Sequence, residues 1–393
     1  MHKPVQKTLY AIGFMSISAM AHADLSNTFS PYVSAATAYN SNLFLLQNDQ
    51  AALANLGTTN MSETYQAYAA GVNMNWQLSR QVISGHAEIS QVNFNTYTGM
   101  NYTGHDLALK WDWLVDSILQ GDVGVSDKLT LAPFLYTKKP LANLLTTRTA
   151  FINSFVKINN RWQIKLGADT THTINSYTTP PNSQQYNDIN IDSYNAGFRY
   201  ITPKGSTFDF LSKVSNGNYP EQLTNLYTYT QYDNGVTFDW IATGKTKLSG
   251  RLNYTKRDYP NSQQNDYAGV TGRIAADWFA TSKTTLNLTI YRDLNTYITS
   301  TSSYDVTQGV SAQAIWLATD KVTATLLGKH ETIDFQSTPI RTDELTTASL
   351  DLGYQLFRKT KIDLIAERGV RHSNAALDSY RYNSVMLGLN NAF

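Results

Sequence analysis

The chain of 393 residues contains no cysteine. Exported compartments permit disulfides, so a small module stapled by them is excluded, and no thiol follows the N-terminus to carry a lipid. Long apolar runs are missing too. Beyond the N-terminal leader they stop after four or five residues, as at Leu43 to Leu46. A membrane helix needs about 20, which excludes a helical inner-membrane protein. Charge of one sign is not in excess, with 31 basic and 30 acidic residues. A nucleic-acid partner would favour a basic surface, so none is expected. No proline-rich or glycine-rich linker and no charge run divides the chain.

What is present begins at the N-terminus. His2, Lys3 and Lys7 form a basic start, Leu9 to Met20 an apolar stretch, and Ala21-His22-Ala23 a small-residue site before Asp24. That order describes a secretory signal peptide over residues 1–23 and leaves residues 24–393 as one exported unit. The low mean hydropathy, −0.34, and the 25 tyrosines suit strands with a wet inner face and aromatic girdles.

A short turn preceded by an aromatic residue recurs. Trp240-Ile-Ala-Thr-Gly-Lys245, Trp278-Phe-Ala-Thr-Ser-Lys283 and Trp316-Leu-Ala-Thr-Asp-Lys321 are spaced 38 residues apart. Looser versions start at Trp76, Trp113, Ile158, Tyr200 and Leu356. Around them residues alternate. Leu286, Leu288 and Ile290 interleave with Thr285, Asn287 and Thr289, and Leu107, Leu109, Trp111 and Trp113 with Asp106, Lys110 and Asp112. Period two means one apolar and one polar face per strand. The stretches run about 10–13 residues, the length of a tilted membrane strand.

The expected fold is therefore all-β, a transmembrane antiparallel β-barrel of about 18 strands. Starts fall near 30, 64, 81, 102, 118, 147, 162, 190, 206, 227, 246, 266, 284, 304, 321, 344, 361 and 380. Pro133 and Pro140 interrupt the region 118–147, and an error there would give 16. Trp76, Trp113, Trp240, Trp278 and Trp316 would form a belt at the periplasmic interface. Val385, Leu387, Leu389 and the terminal Phe393 share one phase, which resembles the C-terminal signal read by the barrel-assembly machinery. The location expected is the bacterial outer membrane, among its lipid and lipopolysaccharide.

Catalytic motifs are missing. His86, His105, His172, His330 and His372 have no metal-ligand spacing, and His330-Glu331 lacks the second histidine of the H-E-x-x-H metal motif. No nucleophile–base set and no phosphate or dinucleotide fingerprint is present. No catalytic residue, metal or cofactor is expected, and the chain is not expected to be an enzyme. The polar phase instead predicts a pore lining of Glu88, Lys110, Asp112, Lys165, Asp169, Arg199, Asp209, Lys213, Lys247, Arg251, Arg273, Asp277, Asp351, Asp363 and Glu367, with both signs present. The first long loop, roughly Asn40 to Glu63, exceeds what a hairpin needs. Its Leu43, Phe44, Leu45, Leu46, Leu53 and Leu56 make it the candidate constriction, folded inward or packed on the rim. Residues 128–147 are the next place for a gate.

Phe29-Ser-Pro31-Tyr32-Val33 and Tyr39-Asn-Ser-Asn42-Leu43-Phe44-Leu45 resemble the opening of EpsL-type proteins from exopolysaccharide loci. Trp76 to Arg80, Phe94-Asn-Thr-Tyr97 and Tyr102-Thr-Gly104-His-Asp106 are similar to the same family's next segment. The resemblance covers residues 29–127 and implies an outer-membrane pore exporting a polysaccharide cargo, served by a separate periplasmic export partner. The alternative on the same architecture is a general diffusion or sugar-uptake porin.

Overall fold

The computed structural model describes residues 28–135, 137–179, 184–222, 225–296, 302–337 and 339–393; the leader expected at 1–23 lies outside them. Eighteen strands follow in chain order. They are β1 (Phe29–Asn40), β2 (Glu63–Leu78), β3 (Gln81–Phe94), β4 (Tyr102–Val115), β5 (Leu119–Leu131) and β6 (Leu144–Lys157). Next come β7 (Trp162–Asn175), β8 (Ile189–Ile201), β9 (Thr207–Asn218), β10 (Tyr229–Ile241), β11 (Thr246–Asp258) and β12 (Tyr267–Phe279). The last are β13 (Thr284–Thr296), β14 (Ser302–Leu317), β15 (Val322–Ser337), β16 (Arg341–Phe357), β17 (Thr360–Ser373) and β18 (Tyr380–Ala392). Each pairs antiparallel with its neighbour in sequence, and β1 pairs with β18 as well as β2, so the sheet closes. Closure leaves no edge with unpaired backbone groups, which is what a lipid environment demands.

The expected count of 18 holds. The two prolines fall in the connection between β5 and β6, so neither removes a ladder hydrogen bond. The strands run 12 to 17 residues, longer than the alternation suggested. A bilayer needs about 9–11 residues per tilted strand, so the wall continues past the apolar band.

The outward phase is set by its exposed apolar residues. Leu288, Ile290, Leu326, Val385, Leu387 and Leu389 are all exposed because their partner is lipid. All seven tryptophans lie on this phase near the short turns: Trp76, Trp111, Trp113, Trp162, Trp240, Trp278 and Trp316. The belt thus gains Trp111 and Trp162. Short turns lie on the periplasmic side of such barrels, so the long connections open to the exterior.

Tyrosine has a second use. On the inner face Tyr32 lies opposite Gly71 and Tyr291 opposite Gly309. A Cβ on Gly71 would stand 2.5 Å from the Tyr32 ring, and one on Gly309 2.7 Å from the Tyr291 hydroxyl. Each ring crosses its glycine to reach the strand beyond, where Tyr32 donates to Glu88 at 2.7 Å and Tyr291 to Glu331 at 2.6 Å. Gly71 is the register partner of Glu88, and Gly309 that of Glu331. The tyrosine–glycine–glutamate row recurs because only glycine leaves the wall flat enough for the ring to lie down.

Candidate functional site

Residues two apart on a strand share a face, and cross-strand partners share a face. With Leu107, Leu109 and Trp111 exposed outward on β4, Asp106, Lys110 and Asp112 face inward. Carrying this phase around the ladders places all fifteen candidate lining residues on the inner face. Glu88 lies on β3, Lys110 and Asp112 on β4, Lys165 and Asp169 on β7, Arg199 on β8, and Asp209 and Lys213 on β9. Lys247 and Arg251 lie on β11, Arg273 and Asp277 on β12, Asp351 on β16, and Asp363 and Glu367 on β17.

The inner charges meet one another. Arg199 holds Asp209 with two bonds, 2.6 and 2.7 Å, and Lys165 reaches the same carboxylate from β7 at 3.0 Å. Lys213 spans back to Asp169 at 2.9 Å. The two lysine bonds skip a strand, which a concave wall permits. Arg251 and Arg273, themselves register partners, share Asp293 at 2.5 and 2.8 Å. Lys110 pairs with Asp112 at 2.7 Å, Lys361 with Asp363 at 2.6 Å, Glu367 accepts from Tyr382 at 2.7 Å, and Asp277 accepts from Asn287 at 2.8 Å. Asp106, already on the polar phase of β4, belongs to the same wall, as do Asp293, Lys128, Glu331, Asp343 and Arg371, which the lining expected from sequence did not include although their phase relative to neighbours such as Asn287 or Asp112 marks them.

The extracellular mouth is built by the connection over residues 41–62. The Asn42 side chain donates to Leu46 O at 2.7 Å and Arg381 O at 3.0 Å, and accepts from Leu46 N. This tight turn, with Leu45 at φ 56°, ties the loop to β18. A helix α1 (Asp49–Leu56) follows, capped by the Asn48 side chain on Ala51 N and closed by Gly57 in the left-handed region. Leu43, Phe44 and Leu46 are buried, with Phe44 edge-on to Tyr97 at 4.9 Å and to Phe134 at 4.6 Å. Their cluster includes Ala67, Val92, Phe94 and Tyr102, all on the inner phase of β2, β3 and β4. The loop therefore folds into the barrel. Leu56 packs at the cluster's edge, Leu45 is half-buried, and Leu53 is exposed. Burial, with the Glu63 carboxylate close by, raises the Tyr97 hydroxyl above its ordinary range.

From the β5–β6 connection, Phe134 joins this plug. Lys138 donates to Leu377 O at 2.7 Å on the β17–β18 connection. A second aromatic group stands across the mouth. Tyr219, Tyr229, Tyr259 and Tyr304 gather there, and Arg257 stacks on Tyr229 at 4.1 Å while donating to Gln231. Among the described residues no group of three or more His, Asp and Glu is placed to hold a metal ion. His86 bonds Asp106 on the inner face and His105 bonds Asp127 on the outer, each at 2.9 Å.

Comparison with known proteins agrees with this architecture. The model of a family described as putative beta-barrel porin 2 matches residues 229–393. No curated protein matches the chain. OpdK of Pseudomonas aeruginosa, solved with vanillate, superposes with a TM-score of 0.51 at 9% identity, over 93% of this chain and 99% of that one. OccK2 from the same organism, solved with glucuronate, gives 0.51 at 10% identity over 93% and 98%. A BenF-like porin of Pseudomonas fluorescens Pf-5 gives 0.51 at 10% identity over 93% and 99%. At such identities the likeness is one of fold. The protein is an 18-strand barrel of the bacterial outer membrane.

Two expectations are corrected. The resemblance to the EpsL-type family, and the polysaccharide export it implied, give way to the porin model. The polymer cargo falls with that export reading. The residues that carried the resemblance have structural work in the fold. Tyr32 lies over Gly71, Asn42 closes the loop turn, Phe44 fills the plug, and Gly104 leaves room for a tight approach to Leu129 O. Such residues report how a barrel of this kind begins, and they carry no information about cargo.

Proposed function

We propose that the chain is a constricted outer-membrane porin for passive uptake of small water-soluble solutes, with no catalytic step. The inward fold of residues 41–62 against Ala67, Val92 and Phe94 carries the reading. It fills part of the mouth with side chains while the wall below stays lined with charge pairs and hydroxyls. A barrel of this strand count encloses an aqueous lumen unless plugged, and a partial plug passes small solutes better than polymers. The fifteen lining residues and the loop cluster act here as a hydrated wall and a size filter. The leader at 1–23 would bring the chain to the periplasm, and Phe393 would present β18 to the assembly machinery.

Swelling of proteoliposomes tests this with a series from monosaccharide to longer oligosaccharide, alongside small carboxylates. Rapid entry of the smallest members with a sharp fall at larger ones is expected. Replacing residues 43–56 by a short Gly/Ser linker should raise single-channel conductance severalfold and admit the larger sugars. Passage of long oligosaccharides through the intact protein, or unchanged conductance in the folded linker variant, would overturn the size-filter reading.

A further inference from the structure

We infer that Arg368 and Arg381 form a binding site on the outer wall for the phosphate of an outer-leaflet glycolipid. In the β17–β18 ladder Arg368 lies opposite Asn383, and Val370 opposite Arg381. The two arginines are thus diagonal neighbours on one face, about 7–8 Å apart at their backbones, close enough for one phosphorylated headgroup to meet both. That face is the outward one. Both side chains are exposed, and toward the periplasm the same phase continues as Ala366, Leu364 and Ile362 on β17 and as Val385, Leu387 and Leu389 on β18. The arginines stand where the apolar band ends on the extracellular side.

Among the described residues neither guanidinium has a hydrogen-bond or ion-pair partner, which sets the two apart from the other arginines within the strands. On the inner face Arg199, Arg251, Arg273, Arg341 and Arg371 hold carboxylates, and Arg257 bonds Gln231 and Tyr259. Other outward cations are matched as well, Arg148 by Asp127, Lys256 by Asp258 and Arg292 by Gln308. The nearest outward acid, Glu344, is the register partner of His372 and lies four residues along β16 from Ala348, the partner of Arg368. Two adjacent unpaired cations at the edge of an apolar band call for an anion supplied by the membrane. Planar guanidinium forks match phosphate oxygens, exposed Asn383 and Tyr39 offer hydrogen bonds to sugar hydroxyls, and the aliphatic face below accepts acyl chains.

The test uses the full-length protein extracted from outer membranes in mild detergent, with phosphorylated glycolipid per barrel counted by mass spectrometry. Near a charged lipid surface each arginine is worth about a fivefold change in occupancy, so R368Q/R381Q should lose glycolipid by more than tenfold while R292Q keeps it. Heat-modifiable gel mobility shows that each variant is folded. A second arm needs no variant. Wild-type protein in vesicles should retain added phosphorylated lipid A and release its dephosphorylated form. Equal retention in the double variant, or equal retention of the two lipid forms, overturns the site. So does loss of self-association in place of lipid, which would assign the patch to a second copy of the chain.

Discussion

Lys138 Nζ lies 2.5 Å from Asp378 Oδ1, and Arg341 holds the other oxygen of the same carboxylate at 2.8 Å. Lys138 belongs to the β5–β6 connection and Asp378 to the β17–β18 connection. Between them stand β1 to β4 and the apolar loop of residues 41–62, so the pair spans the mouth over the plug.

This span should govern how often the mouth opens. A partly exposed ion pair is worth about 1 kcal/mol, or about a fivefold shift in a two-state population. Lys138→Glu should increase the open fraction in single-channel records by that factor. Lys138→Arg, which keeps a cation on Asp378 beside Arg341, should leave the wild-type record unchanged. Identical gating in all three proteins would show that the pair is idle and the plug rests on apolar packing alone.

Asp293 neutralises two register partners, Arg251 and Arg273. Asp293→Asn leaves adjacent cations on the inner wall without their carboxylate. Reversal potentials across a salt gradient should move toward anion selectivity by a severalfold change in permeability ratio. A reversal potential that does not move would place this cluster away from the conducting path.

Leu288 and Leu326 face lipid, whereas Thr325 faces the lumen opposite Asp351. A charge on the lipid face at the midplane costs about 2–4 kcal/mol. Leu288→Arg and Leu326→Arg should assemble poorly, and Thr325→Arg should assemble normally. The yield of heat-modifiable barrel measures this directly, and equal yields would contradict the assigned phase.

The strand count and the two faces of each strand were legible because alternation is local. Each of Leu107, Leu109 and Trp111 declares its face from its neighbours in the chain. The in-turned loop was only half legible. The leucines of residues 43–56 announced a buried cluster, but whether they packed on the rim or on Val92 and Phe94 depends on contacts across three strands. Partnerships were not legible at all. Nothing near Asp293 in sequence points to Arg251, 42 residues away. The expected polymer cargo fails for a similar reason, since Tyr32, Asn42 and Phe44 resemble another family's opening while their constraint is geometric.

The rings laid across glycines bear on how the wall finds its alignment. Alternation penalises a slip of one residue, because that slip turns every side chain to the wrong face. A slip of two keeps all faces correct and goes unpunished by polarity. It would, however, move Tyr32 from Gly71 to Ala69 or Asn73, and Tyr291 from Gly309 to Thr307 or Ser311. Each alternative has a Cβ where the ring must lie. The flat tyrosines therefore work as detents, stopping the even-numbered misalignments that a barrel of alternating strands would otherwise accept.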